Sequence, residues 1–351
     1  MMKLRYFLFA LVVCLISATF SSCEHRELTD PTDVHYVRVY MDEVIKNINC
    51  GFYNESFDHP EYKRPLSMLA CLADAETGHI VRESLLRNQG TDQRGYYIDG
   101  YIGAPAGKYH LVIFQMGSAL TMIDQTGNYF SMNAYTNPVS DRVLSYLAQT
   151  SKVLGSESIM QEPEHMMVAR CNDIQINHSE KVDTLRTADG DYFTAKSIAK
   201  SYYIQLNITG VKWIKAAGAV LSGMSGSSLM CKEEGMNKDV PINLYFTMYY
   251  SGTNQRIADE KSVEVLYATF TTFGKIPDLN SELTLNFEFS KSDGSTQVET
   301  IDLTETFKTP LAIENQWLLL DKEITISKPI GSGGIDPGVD GWKEEEADLP
   351  M

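Results

Sequence analysis

The chain has 351 residues, 43% of them apolar, and a formal net charge of −16. Nucleic acid and anionic lipid both repel a surface of that charge, so the composition argues against a nucleic-acid-binding protein and against membrane attachment through a basic surface. The length is sufficient for two domains of common size.

The first 22 residues have the order of a secretory signal peptide. Lys3 and Arg5 precede an apolar run from Phe7 to Ile16, and small residues follow it. The apolar run is too short for a membrane-spanning helix, which needs about 20 residues. We therefore predict that residues 1–22 are a signal peptide.

The segment Phe20-Ser21-Ser22-Cys23 stands at the expected cleavage position. It resembles the lipobox of bacterial lipoproteins, and this resemblance implies acylation of Cys23. Acyl chains hold a protein at a membrane because each buried CH₂ contributes about 0.8 kcal/mol. Residues 23–33 would then form a tether, and its acidic residues resemble the surface-export signal of Bacteroidetes lipoproteins. We expect an outer-membrane, surface-exposed lipoprotein; a secreted protein with an unmodified cysteine is the alternative.

Four further cysteines follow Cys23. They are Cys50, Cys71, Cys171 and Cys231. Four cysteines allow three disulfide pairings, and the sequence does not select one of them. Cys71 lies in an apolar run, where a buried free thiol is an equally good interpretation.

Alternating or continuous apolar runs bounded by turn residues predict a series of strands. In chain order these are residues 34–41, 66–73, 96–102, 109–114, 202–208, 213–221, 242–250, 263–273, 283–289, 297–303 and 317–326. Glycine and serine predict turns at 74–78 and 222–228. The apolar spacing of residues 141–154 predicts a helix with Asp141 as its N-terminal cap.

Many short strands, few helices and frequent turns indicate an all-β protein built from β-sandwiches. We predict an N-terminal domain at residues 34–165 and a C-terminal domain at residues 166–330. A glycine-rich tail, residues 331–351, follows them and can form a terminal strand.

The sequence offers no convincing catalytic or metal site. It contains neither HExxH nor CxxC, and His165, Cys171 and His178 are too loosely spaced for a typical zinc site. Ser197 and Lys200 match S-x-x-K, but the companion motifs are missing and the setting is strand-like. We predict no catalytic residue, no metal, no cofactor and no enzymatic activity.

Tyrosine is abundant, with 19 residues in the chain. In the first predicted strand, Tyr36, Arg38 and Tyr40 lie on the side opposite Val37 and Val39. An exposed tyrosine-rich face would suit a glycan or a protein partner. Packing within the core and between strands is the alternative role for these rings.

Several segments, in this order, resemble one known group of proteins. They are LSMLACLADAETG, APAGKYHLVIFQMG, YYIQLNITGVKWIKAAGAVLSGMSGSS, ATFTTFG, ELTLNFEFSKSDGS and the tail GGIDPGVDGWKEEEADLPM. Together with Cys23 they resemble the Bacteroidales fimbrial anchor lipoproteins of the fimbrillin superfamily, including their uncharacterised lipoprotein relatives.

This resemblance implies two tandem transthyretin-like β-sandwich domains and a role as a fimbrium anchor or accessory subunit. Its partners would be fimbrillin-like subunits, joined by β-strand pairing, and the membrane, reached through the lipid on Cys23. In the tail, Val339, Trp342 and Leu349 are the expected partner-binding residues; packing of the tail on its own domain is the alternative. The competing hypothesis is a cell-surface glycan- or protein-binding module of a nutrient-uptake system.

Overall fold

The computed structural model describes residues 33–42, 64–125, 127–155, 158–233, 235, 241–253, 264–276, 283–314 and 316–329. Most of these residues lie in strands, which confirms the all-β prediction. None of the helices in these ranges is both long enough and apolar enough to cross a bilayer.

The strands in chain order are β1 (Asp33–Met41), β2 (Met68–Asp74), β3 (Ile80–Leu86), β4 (Asn88–Asp92), β5 (Gly95–Ala104), β6 (Gly107–Gln115), β7 (Thr121–Asp124), β8 (Asn133–Thr136), β9 (Ile159–Met160), β10 (Met167–Ile176), β11 (Asp183–Thr184), β12 (Phe193–Ser197), β13 (Lys200–Thr209), β14 (Ile214–Ser225), β15 (Ser227–Leu229), β16 (Pro241–Thr247), β17 (Tyr249–Thr253), β18 (Glu264–Thr272), β19 (Thr284–Lys291), β20 (Thr296–Asp302) and β21 (Trp317–Thr325). The α-helices are α1 (Asp141–Tyr146), α2 (Ala148–Leu154) and α3 (Pro310–Glu314). Short 3₁₀ helices span Tyr129–Ser131, Val211–Trp213 and Thr306–Lys308.

The first half of the described chain forms one sheet that closes on itself. Its strand order is β3-β2-β6-β10-β12-β1-β5-β4, with β11 paired to β1. β3 and β4 stand at opposite ends of this order, yet Arg87 alone separates them in the chain. The two ends of the sheet are therefore one continuous segment. A Cβ added at Gly100 of β5 would lie 3.2 Å from the Cα of Leu86 in β3, so these strands approach closely.

β1 shows why this sheet encloses a core. Val37 and Val39 are fully buried, and their neighbours in the chain point to the opposite face. The predicted alternation of β1 is confirmed. The buried cluster inside the sheet also includes Leu72, Ile98, Leu111, Ile113 and Phe193.

The second half of the described chain packs two sheets face to face. One has the order β17-β18-β13-β21 and the other β20-β19-β14-β16-β9. Met248 alone separates β16 from β17, so the chain crosses from one sheet to the other at that residue. The rings of Phe246 in β16 and Phe270 in β18 stack across the interior, with centroids 4.4 Å apart. Both sheets therefore contribute to one core.

A small sheet connects the two halves. It has the order β15-β8-β7, so it combines β15, which directly follows β14, with two strands from the connection after β6. Its neighbours Met132 and Met230 pack in a buried cluster with Cys71, Val112 and Val168 from the first sheet. The two halves thus share both backbone pairing and apolar contacts.

The predicted domain boundary between residues 165 and 166 does not coincide with the strand pairing. β10 pairs with β6, and β12 pairs with both β10 and β1, so both strands belong to the first sheet. The division into domains stays a prediction, since β9, which precedes β10 in the chain, pairs with β16 of the second half. Local sequence patterns do not reveal which distant strand a segment will pair with.

Two local predictions differ from the structure. The predicted helix is divided into α1 and α2, and Ser140 occupies the N-cap position, whereas Asp141 is already helical. The predicted turn at 222–228 is wrong, because β14 extends to Ser225 and β15 begins at Ser227. Gly223 has a φ of +83° at a register shift between Ser222 and Met224, so a β-bulge replaces the turn.

Candidate functional site

β21 presents an open backbone edge. It pairs in parallel with β13 on one side, and no strand of the described ranges pairs with its other side. Leu318 and Ile324 of β21 are buried in the core, so the strand is firmly held although one edge is open. The unpaired N–H and C=O groups of such an edge can accept a strand from another chain.

A side chain closes one end of this edge. The Nε2 atom of Gln297 in β20 donates a hydrogen bond to the carbonyl oxygen of Thr325 at 3.0 Å, and the backbone N–H of Ser327 donates to Oε1 of Gln297 at 3.1 Å. The amide of Gln297 therefore replaces strand pairing at the Thr325 end.

β20, the other edge strand near this opening, is less suited to accept a strand. Its inner positions Gln297, Glu299 and Ile301 are only half-buried, and one of them carries a charge. Inward-pointing charged residues are a common way in which proteins protect sheet edges from pairing. We therefore regard β21 as the better candidate edge.

The partner-binding residues predicted from the sequence lie outside the described residues. Val339, Trp342 and Leu349 belong to the tail, and Cys23 belongs to the N-terminal segment. The described chain ends at Pro329, four residues beyond β21. Where the tail lies relative to β21 stays a prediction.

A second surface, which we call the tyrosine–arginine face, covers the outside of β1 and its neighbours. The register of β1 and β5 places Tyr36 opposite Tyr101, Arg38 opposite Asp99 and Tyr40 opposite Tyr97. The face consists of Tyr36, Arg38, Tyr40, Tyr97, Asp99 and Tyr101, together with Asp92 of β4 and Tyr192 beside β12.

Arg38 is the centre of the tyrosine–arginine face. Its guanidinium carbon lies 3.9 Å from the centroid of the Tyr97 ring. Its nitrogens lie 3.3 Å from Oδ2 of Asp92 and 3.5 Å from Oδ2 of Asp99. The Tyr97 ring in turn crosses β4 at Gly90, where an added Cβ would lie 2.3 Å from the ring. Only glycine leaves room for this arrangement at position 90.

Hydrogen bonds fix the remaining polar groups of this face. The Tyr36 hydroxyl donates to Asp99 at 2.5 Å, and the Tyr40 hydroxyl donates to Asp92 at 2.6 Å. Burial and the bond to Asp99 raise the pKa of Tyr36 to about 12. Burial opposes the charge of Arg38, but its hydrogen bonds to Tyr40 and Tyr36 outweigh this effect and raise its pKa above the ordinary value. Tyr36 therefore stays neutral and Arg38 stays charged over the physiological pH range.

The residues considered for catalysis have structural partners. Ser197 ends β12, a strand, and its Oγ accepts a hydrogen bond from the backbone N–H of Ala199. His165 lies between Ser197 and Ser201, with Nδ1 and Nε2 at 2.8 and 2.7 Å from their hydroxyl oxygens. No cluster of three or more His, Cys, Asp or Glu residues in the described ranges could hold a metal ion.

The three cysteines within the described ranges are free thiols. Cys71 and Cys231 are buried, and Cys171 is half-buried. Burial raises the pKa of each thiol above its ordinary value, so all three are protonated at neutral pH. The free-thiol interpretation of Cys71 is confirmed, whereas Cys50 lies outside the described residues.

Comparisons with known proteins connect this architecture with fimbriae. Residues 87–245 match the family described as "Domain of unknown function (DUF5119)". The chain is 23% identical over 286 residues to the "Putative fimbrium anchoring subunit Fim4B" of Bacteroides ovatus, an alignment that covers 72% of this chain and 78% of the relative. That relative is named as an anchoring subunit and not as an enzyme.

A solved structure shares the fold. A "putative adhesin" from Bacteroides ovatus has a TM-score of 0.55 with 18% identity, covering 84% of this chain and 93% of that chain. The fimbrial anchor protein Mfa2 from Porphyromonas gingivalis has a TM-score of 0.47 with 10% identity, covering 84% of this chain and 90% of that chain. The resemblance predicted from the sequence is confirmed: the chain is similar to the fimbrial anchor-type proteins of Bacteroidales.

Proposed function

We propose that this chain is an outer-membrane lipoprotein that serves as an anchor or accessory subunit of a fimbrium. The observation that carries the proposal is the similarity to a fimbrium anchoring subunit over 72% of this chain and 78% of the relative. Cys23 would carry the lipid, because it follows a signal-like segment and a lipobox-like sequence. The role requires no catalytic group.

The two halves would be tandem transthyretin-like β-sandwich domains. The closed sheet around Val37 and Val39 would be the N-terminal domain, and the two packed sheets around Phe246 and Phe270 would be the C-terminal domain. The shared sheet β15-β8-β7 supports a stiff connection between them, because it includes strands from both halves. A stiff two-domain body suits a subunit that transmits force from a fibre to the envelope.

Fimbrillin-like subunits would bind by strand pairing at β21. Its open edge supplies main-chain donors and acceptors, and the buried Leu318 and Ile324 hold the strand in place. The tail with Val339, Trp342 and Leu349 would complete the contact with the partner. Pairing through the backbone accounts for recognition without a cluster of reactive side chains.

Site-directed cross-linking tests this proposal. Lys322 is an exposed residue of β21. A Lys322→Cys variant, produced in the native bacterium and treated with a thiol-to-amine cross-linker, should yield an adduct with a fimbrial subunit that mass spectrometry identifies. Lys196→Cys is the matched control, because Lys196 is exposed (59%) but lies on β12 of the other half.

A Cys50→Ser chain without an added cysteine provides the second control, and both cysteine variants are made in that background because Cys50 lies outside the described residues. Cys71, Cys171 and Cys231 are buried or half-buried and have raised pKa values, so this control should give only background labelling. Equal cross-linking from position 322 and position 196 would contradict pairing at β21. The absence of every fimbrial subunit from the adducts at position 322 would contradict the partner.

A further inference from the structure

The tyrosine–arginine face has one exposed aromatic ring, that of Tyr101, beside fixed polar groups. Tyr101 is 53% exposed and meets Tyr36 edge to face, with ring centroids 5.6 Å apart. Arg94, whose side chain is 50% exposed, lies over the Tyr40 ring at 5.0 Å, and Arg186 lies over the Tyr192 ring at 4.1 Å. Cations stacked on rings in this way hold both partners in one orientation.

The polar groups of this face are arranged before any ligand arrives. Asp99 and Asp92 each accept hydrogen bonds from a tyrosine hydroxyl and from Arg38. A ligand that meets groups already held in place loses little side-chain entropy on binding. The arrangement therefore favours recognition of a polar molecule rather than simple covering of the sheet.

The charges of the face are balanced among themselves. Arg38 is paired with Asp92 and Asp99, and Arg94 lies 3.6 Å from Asp191. Such a surface exerts little net attraction on a strongly charged partner such as nucleic acid or an anionic membrane. An uncharged ligand with many hydroxyl groups meets both the hydrogen-bonding groups and the aromatic rings.

Apolar side chains border one end of the face. Val34 is 47% exposed and Val182 is 59% exposed. They directly precede His35 and Asp183, which are paired between the parallel strands β1 and β11, so both lie at the Tyr36 end. Methyl groups of a ligand, such as those of N-acetyl or 6-deoxy sugars, would find apolar contacts there.

The geometry points to a carbohydrate-binding site on the tyrosine–arginine face, separate from the open edge of β21. The C–H surface of a sugar ring would stack on Tyr101, and hydroxyl groups of the oligosaccharide would bond to Asp92 and Arg38, whose side chains are 36% and 21% exposed. The ligand is an uncharged oligosaccharide, with preference for N-acetyl or 6-deoxy sugars. This inference does not depend on the fimbrial role, because no residue of the proposed glycan site belongs to β21.

A glycan array with the purified full-length chain tests the inference. We expect binding to uncharged oligosaccharides, strongest for N-acetylated or 6-deoxy members and weaker for sialylated ones. Isothermal titration with the best array member should show at least a tenfold weaker affinity for Tyr101→Ala. Tyr101→Phe keeps the ring and should retain most of the affinity.

Tyr146→Ala is the matched control. Tyr146 is 48% exposed and lies on α1, away from the face, so this variant should bind as the unsubstituted chain does. Thermal unfolding of all three variants should match that of the unsubstituted chain, since each change is at an exposed ring.

Three results would overturn the inference. One is the failure of the chain to bind any oligosaccharide, on the array or in solution with the oligosaccharide at millimolar concentration. Another is equal loss of affinity in Tyr101→Ala and Tyr146→Ala. The third is binding of a purified protein, but of no glycan, to the chain, with that binding lost in Tyr101→Ala. The source of the glycan is tested separately, by comparing binding of the free oligosaccharide with binding of the same oligosaccharide attached to lipid in vesicles. Binding to either form supports the inference.

Discussion

Glu288 joins the helical segment, α1 and α2, to the two packed sheets of the second half by hydrogen bonds. It lies in β19 and is 2% exposed. Its carboxylate oxygens accept hydrogen bonds from the backbone N–H groups of Gln149 and Thr150, at 3.1 and 2.9 Å. These amides belong to the first turn of α2, where unpaired N–H groups and the helix dipole favour a negative charge.

Replacement of Glu288 should therefore destabilise the fold. We expect Glu288→Ala to lower the free energy of unfolding by about 2 kcal/mol, because one buried and one partly buried backbone donor lose their acceptor. Chemical denaturation measures this change. Glu305→Gln is a suitable control, since Glu305 is 82% exposed and pairs only with nearby Lys308, and it should cost close to nothing. Equal effects of the two changes would contradict this role of Glu288.

Glu162 makes stability depend on pH. Burial raises its pKa to about 7 from an ordinary value of 4.5, although the N–H of Thr271 donates to it at 2.9 Å. The folded state thus holds the proton more tightly than the unfolded state does. The resulting stabilisation is complete below pH 4.5 and is lost as the pH rises through 7.

The expected loss between pH 5 and pH 8 is at most about 3 kcal/mol, at ~1.4 kcal/mol per pH unit. Glu162→Gln cannot titrate, so its free energy of unfolding should fall less over the same interval. The difference between the two proteins, measured by urea denaturation at each pH, isolates Glu162 from the histidines. Parallel pH profiles would show that this carboxyl group does not contribute.

The residues of the tyrosine–arginine face were only partly predictable from the sequence. Alternation in β1 placed Tyr36, Arg38 and Tyr40 on one side, and the structure confirms this. Their partners Asp92 and Asp99 are more than 50 residues away in the chain. The register between β1 and β5 brings them together, and local periodicity contains no information about that register.

At the scale of the elements, Gly223 shows how composition can mislead. Glycine and serine around it predict a turn, but the backbone forms a bulge with a φ of +83° and β14 continues. A Cβ at this position would lie 2.9 Å from Cδ2 of Leu283. The glycine is therefore needed both for the backbone conformation and for the close contact.

Gly223→Ala should lower the free energy of unfolding by about 2 to 3 kcal/mol, since backbone strain and overpacking add. Gly294→Ala is the matched control. Gly294 has a φ of +82° but nothing within 4 Å of an added Cβ, so only the backbone term of about 1 kcal/mol applies. Equal losses in the two variants would contradict a steric role for Leu283.

Most strands were predictable because their side chains alternate or form short apolar runs. β13, β19 and β21 match the predicted segments to within a few residues. The open edge of β21 was not predictable, since it depends on which strands pair with β13. Strand content is therefore a local property of this sequence, and the available edge is a property of the whole fold.

At the scale of the molecule, two β halves are joined by a shared sheet and by a common apolar cluster. The all-β class followed from the sequence, whereas the pairing of β10 and β12 with the first sheet did not. Within residues 167–197, β10 pairs with β6 and β12 pairs with β1, and both partners are distant in the sequence. The proposed subunit-binding edge, β21, lies in the second half, and the proposed glycan site, the tyrosine–arginine face, lies in the first half.

The anchor proposal makes a direct prediction about where fimbriae are found. If acyl chains on Cys23 hold the subunit, Cys23→Ser should release the protein from the outer membrane, and the fimbriae it holds should be shed into the medium. Cys14→Ser, within the predicted signal peptide, should change neither. The decisive measurement is the ratio of cell-bound to released fimbrial subunit in the Cys23→Ser strain. The account predicts a large fall in this ratio relative to the Cys14→Ser strain; an unchanged ratio, with the protein still in the outer membrane, would contradict it.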